Sequence, residues 1–398
     1  MTGHSRTVHP ALVLFALAVG AFAIGTTEFA AMSLLPFFAR DLGIDVPTAG
    51  HAISAYALGV VAGAPVIAAF GARLPRRTLL IGLMAVFAAA NALSALSPTY
   101  HWLLLFRFLS GLPHGAYFGV AALVAASLVP IEKRTLAIAK VMSGLTVATV
   151  IGVPAANWIG QALGWRSGFF VVAALAVATV MLVAIYAPRD AGDSKASPMR
   201  ELSALGKSQV WLTLLTGAIG FGGLFAVYTY VASTMIEVTH VSETYVPVVL
   251  MVFGIGLTLG NLVAGWLADR NQNRTVIGVL LWSAAALALF PLLAQNVWTL
   301  GLIIFLIGIG GGLGTPLQAR LMDVAGDAQT LAAALHHSAF NVANALGPWL
   351  GGLSIAAGYG LVSTGWIGAA LAMGGLAIFL VALALESRRP AYRAAAAE

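Results

Sequence analysis

Apolar runs of about 20 residues follow one another along almost the whole of this 398-residue chain, and each is long enough to cross the hydrocarbon core of a bilayer as a helix. In lipid every backbone polar group must be satisfied within the protein, which leaves helices and closed barrels as the only spanning structures. A barrel would show segments of about 10 residues alternating in hydrophobicity, whereas these runs are continuous. Charged residues make up 9% of the chain and hydrophobic residues 60%; a soluble domain carries roughly 25% charged residues. An ordinary soluble or disordered protein is thereby excluded, and the sequence predicts an all-α polytopic membrane protein.

Charged, Pro and Gly punctuation divides the runs into twelve spans, near 11–35, 48–70, 78–97, 101–128, 136–159, 166–187, 209–233, 245–268, 275–294, 298–322, 331–353 and 363–386. With the N-terminus inside, the inner segments hold 17 of the 20 Lys and Arg, the outer segments hold only Arg40 and Arg166, and Arg107 falls inside a span. This bias orients the chain with both termini cytoplasmic and makes the net charge of +6 a matter of topology rather than of nucleic-acid binding. Ala21-Phe22-Ala23 is similar to a signal-peptidase site, but the apolar run continues past it, so it is read as part of an uncleaved first span. There is no cysteine, hence no disulfide, thiolate nucleophile or Cys-ligated metal.

The longest polar stretch, Pro188 to Gln209, divides the chain into an N-terminal six-helix bundle (1–187), a cytoplasmic linker (188–208) and a C-terminal six-helix bundle (209–398). A faint internal repeat supports two pseudo-symmetric halves. Gly71-Ala72-Arg73-Leu74-Pro75-Arg76-Arg77-Thr78 follows span 2, and Gly265-Trp266-Leu267-Ala268-Asp269-Arg270 follows span 8. Parallel repeats of this kind place a substrate site near mid-membrane between the halves. Small residues recur every fourth position in span 5 (Gly144, Ala148, Gly152, Ala156, Gly160) and span 11 (Ala339, Ala343, Gly347, Gly351). Such faces let helix backbones approach closely, either as static packing or as surfaces that slide during alternating access.

Glu28 and Arg107 are the charges read as lying clearly within apolar spans, both in the outer half of the membrane. A carboxylate at such depth costs roughly 2.5–3.5 kcal/mol on insertion scales, which calls for a partner or a function: a structural ion pair between spans 1 and 4, or a carboxyl that exchanges a proton. Arg107, Gly111 and His114 share one face of span 4, so His114 is a candidate relay, or a neutral hydrogen-bonded imidazole. Thr27, Tyr56, Tyr117, Asn157, Tyr228, Asn261, His337, Asn341 and Asn344 are candidate substrate contacts; Thr26, Gln161, Tyr230 and His336 are further polar groups in the spans. Each alone is equally served by interhelical bonding, worth about 0.6 kcal/mol on average. His336-His337 makes no zinc site, because adjacent side chains diverge on a helix and no third ligand is suitably spaced. Gly308 to Gly314 lies inside an apolar span with no strand before it, so it is read as flexible or close-packed helix and not as a dinucleotide loop.

These features together resemble the major facilitator superfamily, in particular its twelve-span drug:proton antiporter branch, and within it the arabinose-efflux-permease-like and bacterial phenicol-exporter proteins. The stretches that carry the resemblance are Gly25-Thr26-Thr27-Glu28-Phe29, Ala49-Gly50-His51 running through Tyr56 to Pro65, Arg107-Phe108-Leu109-Ser110-Gly111-Leu112-Pro113-His114-Gly115, and Ser143-Gly144 through Gly152-Val153-Pro154 with Gly164-Trp165-Arg166. The resemblance implies a rocker-switch exporter driven by inward proton flow. It implies Glu28 and Arg107 as the proton-coupling pair and Gly144, Gly152 and Pro154 as members of the antiporter signature. It also implies Arg73, Arg76, Arg77, Asp269 and Arg270 as inner-gate residues. One departure stands out: the loop after span 2 lacks the Asp that normally precedes its Arg residues, while Asp269-Arg270 keeps it.

The expected function is proton-coupled efflux of a small molecule, a phenicol-like drug or a sugar, across the bacterial inner membrane. Proton-symport or facilitated uptake of a small metabolite by the same fold is the alternative. No enzyme chemistry is expected, since the spans hold no Ser/His or paired-Asp arrangement. The expected partners are the small-molecule substrate, protons and the lipid bilayer, with no nucleic acid, no metal and no cofactor beyond the proton gradient, in a monomer.

Overall fold

The computed structural model describes residues 9–71, 74–130, 133–189, 206–326 and 329–387, which form helices and connecting turns with no strand among them. In chain order the first half comprises α1 (Pro10–Ser33), α2 (Leu35–Leu42), α3 (Val46–Gly71), α4 (Arg76–Ala95), α5 (Tyr100–Gly111), α6 (His114–Ser127), α7 (Arg134–Val147), α8 (Val153–Leu163) and α9 (Trp165–Tyr186). The second half comprises α10 (Ser208–Gly220), α11 (Gly222–Glu237), α12 (Val246–Leu293), α13 (Val297–Gly310), α14 (Gly314–Ala325), α15 (Gln329–Ser354) and α16 (Thr364–Ser387).

Several of these helices are halves of one span, and the sequence gives the reason at each break. Pro113 cannot donate an N–H and separates α5 from α6 in span 4. Gly220-Phe221-Gly222 separates α10 from α11 in span 7. Gly311–Leu313 narrows to a 3-10 turn between α13 and α14 in span 10. In span 5 the residues Ala148–Gly152 widen into a π turn immediately before Pro154. That proline lacks an N–H and its ring would meet the carbonyl four residues back, and a π turn relieves both. The range of α12 covers two spans that meet at a break in the expected connection: Asn271, at φ −157° and ψ 94°, is non-helical, and its side-chain Oδ1 accepts the Arg274 N–H at 3.0 Å to start span 9. The result is an all-α fold of twelve spans. The expected linker falls largely on residues 190–205, which lie outside the described residues.

The halves repeat one another in their closest contacts. Gly59 and Gly63 of span 2 face the backbone carbonyls of Phe108 and Leu112 in span 4; Gly256 and Gly260 of span 8 face those of Phe305 and Ile309 in span 10. Each of these four second-half positions lies 197 residues after its first-half counterpart. Gly144 of span 5 meets span 1 at the Ala18 carbonyl, and Gly347 of span 11 meets span 7 at the Gly222 carbonyl; these glycines are 203 apart. A Cβ at any of them would overlap facing backbone, so glycine here fixes interhelical distance. The small-residue ladders read from the sequence are therefore helix-to-helix contact lines within each half.

A buried apolar core built on Leu17, Phe87, Phe118 and Val141 fills the first half. A second core runs from Phe29, Met32 and Phe38 across to Phe225, Tyr228 and Phe253, and so joins the outer part of the first half to the second half. Many large apolar side chains, among them Trp158, Leu262 and Trp298, point outward, as a lipid-facing surface requires.

Candidate substrate and proton site

Glu28 lies on α1, 5% exposed, where span 1 meets span 11. Its Oε1 accepts a hydrogen bond from Asn344 Nδ2 at 3.0 Å. The two residues belong to opposite halves. Arg107 on α5 is fully buried, and among the described residues no ion pair joins it to Glu28. Its Nη1 donates to Thr27 Oγ1 at 3.3 Å, and its guanidinium lies over the Tyr56 ring at 4.3 Å and near the Phe169 ring at 5.3 Å, an arrangement that stabilises a cation away from water. Thr27 Oγ1 in turn donates to Asn91 Oδ1 at 2.7 Å. The acid and the base are thus neighbours on spans 1 and 4 with separate partners.

An aromatic and imidazole chain continues from this centre. The Tyr56 hydroxyl and His114 Nδ1 are 2.8 Å apart. His114 packs on Phe118, and Phe118 stacks on His337 of the other half at 5.5 Å with the rings 7° from parallel. His336 contacts Phe340, which packs against Phe221 and Phe225. Phe29, next to Glu28, meets Phe225 and Tyr228 across the same seam. Several buried polar atoms in the spans have no protein partner: Thr26 Oγ1, Arg107 Nε and Nη2, Thr229 Oγ1, Ser233 Oγ, Asn341 Oδ1 and Asn344 Oδ1. Unsatisfied groups of this kind are expected where water or a ligand enters.

The remaining candidate contacts are distributed as follows. Tyr117 donates to the Leu17 carbonyl at 2.8 Å and Asn157 to the Ser33 carbonyl at 3.0 Å, so both tie spans 4 and 5 to span 1. Asn341 Nδ2 bonds the His337 carbonyl of its own helix at 3.0 Å. Asn261 is half-buried and faces Thr315 within the second half at 3.4 Å. Tyr228 packs edge and face against Phe29 and Phe253. Gly144 and Gly152 lie against span 1, the latter beside Phe22 and Thr26, and Pro154 ends the π turn. Among the gate residues, Arg73 lies outside the described residues, Arg77 bonds the Ala184 carbonyl of span 6, Asp269 is exposed, and Arg270 lies over Trp266 at 3.3 Å.

Two features were not read from the sequence. Asn91, a lone amide among alanines, is fully buried and receives the Thr27 hydroxyl. Arg320, assigned to a cytoplasmic segment, is instead 4% exposed inside α14, where it donates to Asn273 at 3.0 Å, Gln209 at 3.3 Å and Glu386 at 2.9 Å. Glu28 and Arg107 are therefore joined by a third buried charge, which escaped notice because it lies near a charged helix end.

Four side-chain hydrogen bonds join the two halves among the described residues, and all lie at mid-membrane or further out. Besides Asn344 to Glu28, Ser54 donates to the Ala345 carbonyl at 2.9 Å, Arg40 to Glu243 at 2.9 Å, and Gln161 to the Glu243 carbonyl at 2.8 Å. Gly254 of span 8 brings its backbone onto Thr149 in the π turn of span 5. The outer face is therefore shut. Beside it, Asp41 accepts from Arg166 and Trp165, which holds its carboxyl below the usual carboxylate range; Asp45 is held low by the hydroxyl and N–H of Thr48.

A twelve-span helical fold repeated in two halves, with a polar seam between them, defines a membrane transporter. The family model described as Major Facilitator Superfamily matches residues 17–275 and 214–398, and the chain belongs to that superfamily. It is 41% identical over 369 residues to the "Inner membrane transport protein YdhP" of Escherichia coli (strain K12), covering 92% of this chain and 94% of that protein. To a "Chloramphenicol resistance protein" of Streptomyces lividans it is 38% identical over 347 residues, covering 85% and 87%. Its fold also superimposes, with a TM-score of 0.74 at 16% identity and coverage of 94% and 96%, on a bacterial homologue of the human lysosomal transporter Spinster, a structure described as inward-facing and unoccupied. The chain is a transporter rather than an enzyme, and a multi-pass protein of the inner membrane.

Proposed function

We propose that this transporter exports a small molecule in exchange for protons, with Glu28 as the proton carrier. The observation that carries the reading is a lone carboxyl, almost fully buried, bonded across the seam between the halves. A carboxyl placed there changes its surroundings whenever the halves separate, and its proton occupancy changes with them. One charge moving through 100 mV supplies about 2.3 kcal/mol, enough for roughly fifty-fold accumulation of a neutral solute. A phenicol is the substrate class that the Streptomyces relative supports, and an aromatic seam with few polar groups suits a small amphipathic molecule.

The test uses inverted membrane vesicles and radiolabelled chloramphenicol. An acid lumen should drive accumulation of the label, and Glu28→Gln should abolish the acid-driven component while leaving label binding in place. Acid-driven movement out of the lumen would establish symport uptake instead. Unchanged acid-driven transport in Glu28→Gln would remove Glu28 as the carrier.

A further inference from the structure

The partner that Glu28 takes when the outer face is shut is an amide from the opposite half. Asn344 is fully buried, 316 positions away in sequence, and its Nδ2 lies 3.0 Å from Glu28 Oε1. Its own Oδ1 has no partner, so no other protein bond to the carboxamide oxygen holds the side chain in place. The next residue along α15, Ala345, receives the Ser54 hydroxyl across the same seam. Separation of spans 1 and 2 from span 11 would therefore withdraw the Asn344 donor together with the outer seal. Arg107 makes no hydrogen bond to Glu28 in this arrangement: its Nη1 donates to Thr27 and its guanidinium lies over the face of Tyr56.

We infer that Asn344 is a positioning residue for proton release: closure of the outer face brings its N–H to Glu28, where it stabilises the carboxylate just as the proton must leave towards the cytoplasm. The inference rests on Glu28 being the proton carrier. Burial alone disfavours the charged form of a carboxyl, whereas a donor aimed at it favours that form, and a hydrogen bond to a charged acceptor is roughly twice as strong as one to a neutral acceptor. In the step itself the Glu28 O–H bond breaks, the proton passes to water on the inner side, and the carboxylate left behind accepts Asn344 Nδ2–H. No other bond changes.

The other titratable groups on elements packed against this part of α1 are Tyr56 on α3, Arg107 on α5, His114 and Tyr117 on α6, Tyr228 and Tyr230 on α11, and His336 and His337 on α15. Arg107 acts on Glu28 through its charge. Helices α2, α7 and α9 bring charges only towards the membrane surfaces, at Arg40, Asp41, Arg134, Lys140 and Arg166. None of the groups within the membrane is a hydrogen-bond partner of Glu28, so removing Asn344 tests one contact with the surrounding charges unchanged.

The experiment is a pH titration by difference infrared spectroscopy of the protein in nanodiscs, following the carbonyl stretch of a buried protonated carboxyl. The outer face is held shut by a thiol cross-link between Arg40→Cys and Glu243→Cys; the chain has no cysteine of its own, so only this pair reacts. A band that Glu28→Gln removes reports Glu28. Asn344→Leu should move its midpoint to higher pH by about one unit, a tenfold change in proton affinity. Asn344→Gln, which keeps the donor, should restore most of the wild-type midpoint. Asn344→Ala serves if the leucine variant does not fold. A Glu28 band whose midpoint is unmoved in Asn344→Leu and Asn344→Ala overturns the inference and leaves the carrier reading standing. Absence of any Glu28-dependent band overturns both.

Discussion

Thr27 is the residue on which the buried polar centre turns, because one hydroxyl serves two partners: it donates to Asn91 Oδ1 and accepts from Arg107 Nη1. Thr27→Val keeps the shape and removes both bonds. Interhelical polar bonds average about 0.6 kcal/mol in membrane proteins, while a buried group left without a partner costs about 1–3 kcal/mol. The expected loss is therefore about 1 kcal/mol, and Asn91→Leu, which removes the stranded acceptor as well, should cost less than Thr27→Val. Unfolding in mixed micelles with increasing dodecyl sulfate measures both. The residues of this centre differed in how visible they were. Glu28 and Arg107 stand out in sequence because a charge in an apolar run has few innocent explanations. Asn91 carries no charge and sits at no special spacing, and only the approach of span 1 to span 3 gives it a role. Asn344 was legible as a polar candidate, but its pairing with Glu28 depends on the docking of two halves, which no local pattern records.

At the scale of the element, one tight meeting of the halves is a backbone contact, Gly254 of span 8 against Thr149 in the π turn of span 5. The π turn exists because Pro154 follows it, so a proline in one half shapes the surface that a glycine in the other half fits. Gly254→Val would force these spans apart. If the contact were only static packing, the change would lower stability alone. As a gate, it should open the outer face, and Ser54→Cys, half-buried in the seam under that face, should react several-fold faster with a membrane-impermeant maleimide added from outside. An unchanged labelling rate in a folded Gly254→Val variant would count against a gating role. The spans themselves were readable from hydropathy and charge, because the bilayer imposes length and Lys and Arg impose direction. Their interruptions were less so: the π turn at Ala148–Gly152 and the 3-10 turn at Gly311–Leu313 lie inside apolar runs, where hydropathy records no change.

For the whole molecule, the outer seal combines a solvent-exposed ion pair with deeper contacts, and the two should differ in weight. The Arg40 and Glu243 side chains are 65% and 36% exposed, and exposed pairs contribute about 0–1 kcal/mol. Removing both charges with Arg40→Ala and Glu243→Ala should shift the balance between shut and open outer faces by less than about fivefold, and salt should reduce even that. Spin labels at Thr99→Cys and Gln295→Cys, on outer loops of the two halves, report the balance as a distance distribution. A large shift would mean that the rim, rather than the buried seam, holds the face shut. The paired glycines say something further about ancestry. Carried over at 197 for spans 2 and 4, and for span 1 at 204, the separation of Ala18 and Gly222, Tyr56 falls on Phe253, Arg107 on Ile304 and Glu28 on Ala232. A six-helix unit repeated in this way carries its scaffold twice but the Glu28, Tyr56 and Arg107 cluster once, and the second bundle inters a cation of its own, Arg320, at a different depth, so the twin bundles have come to hold charge in different places.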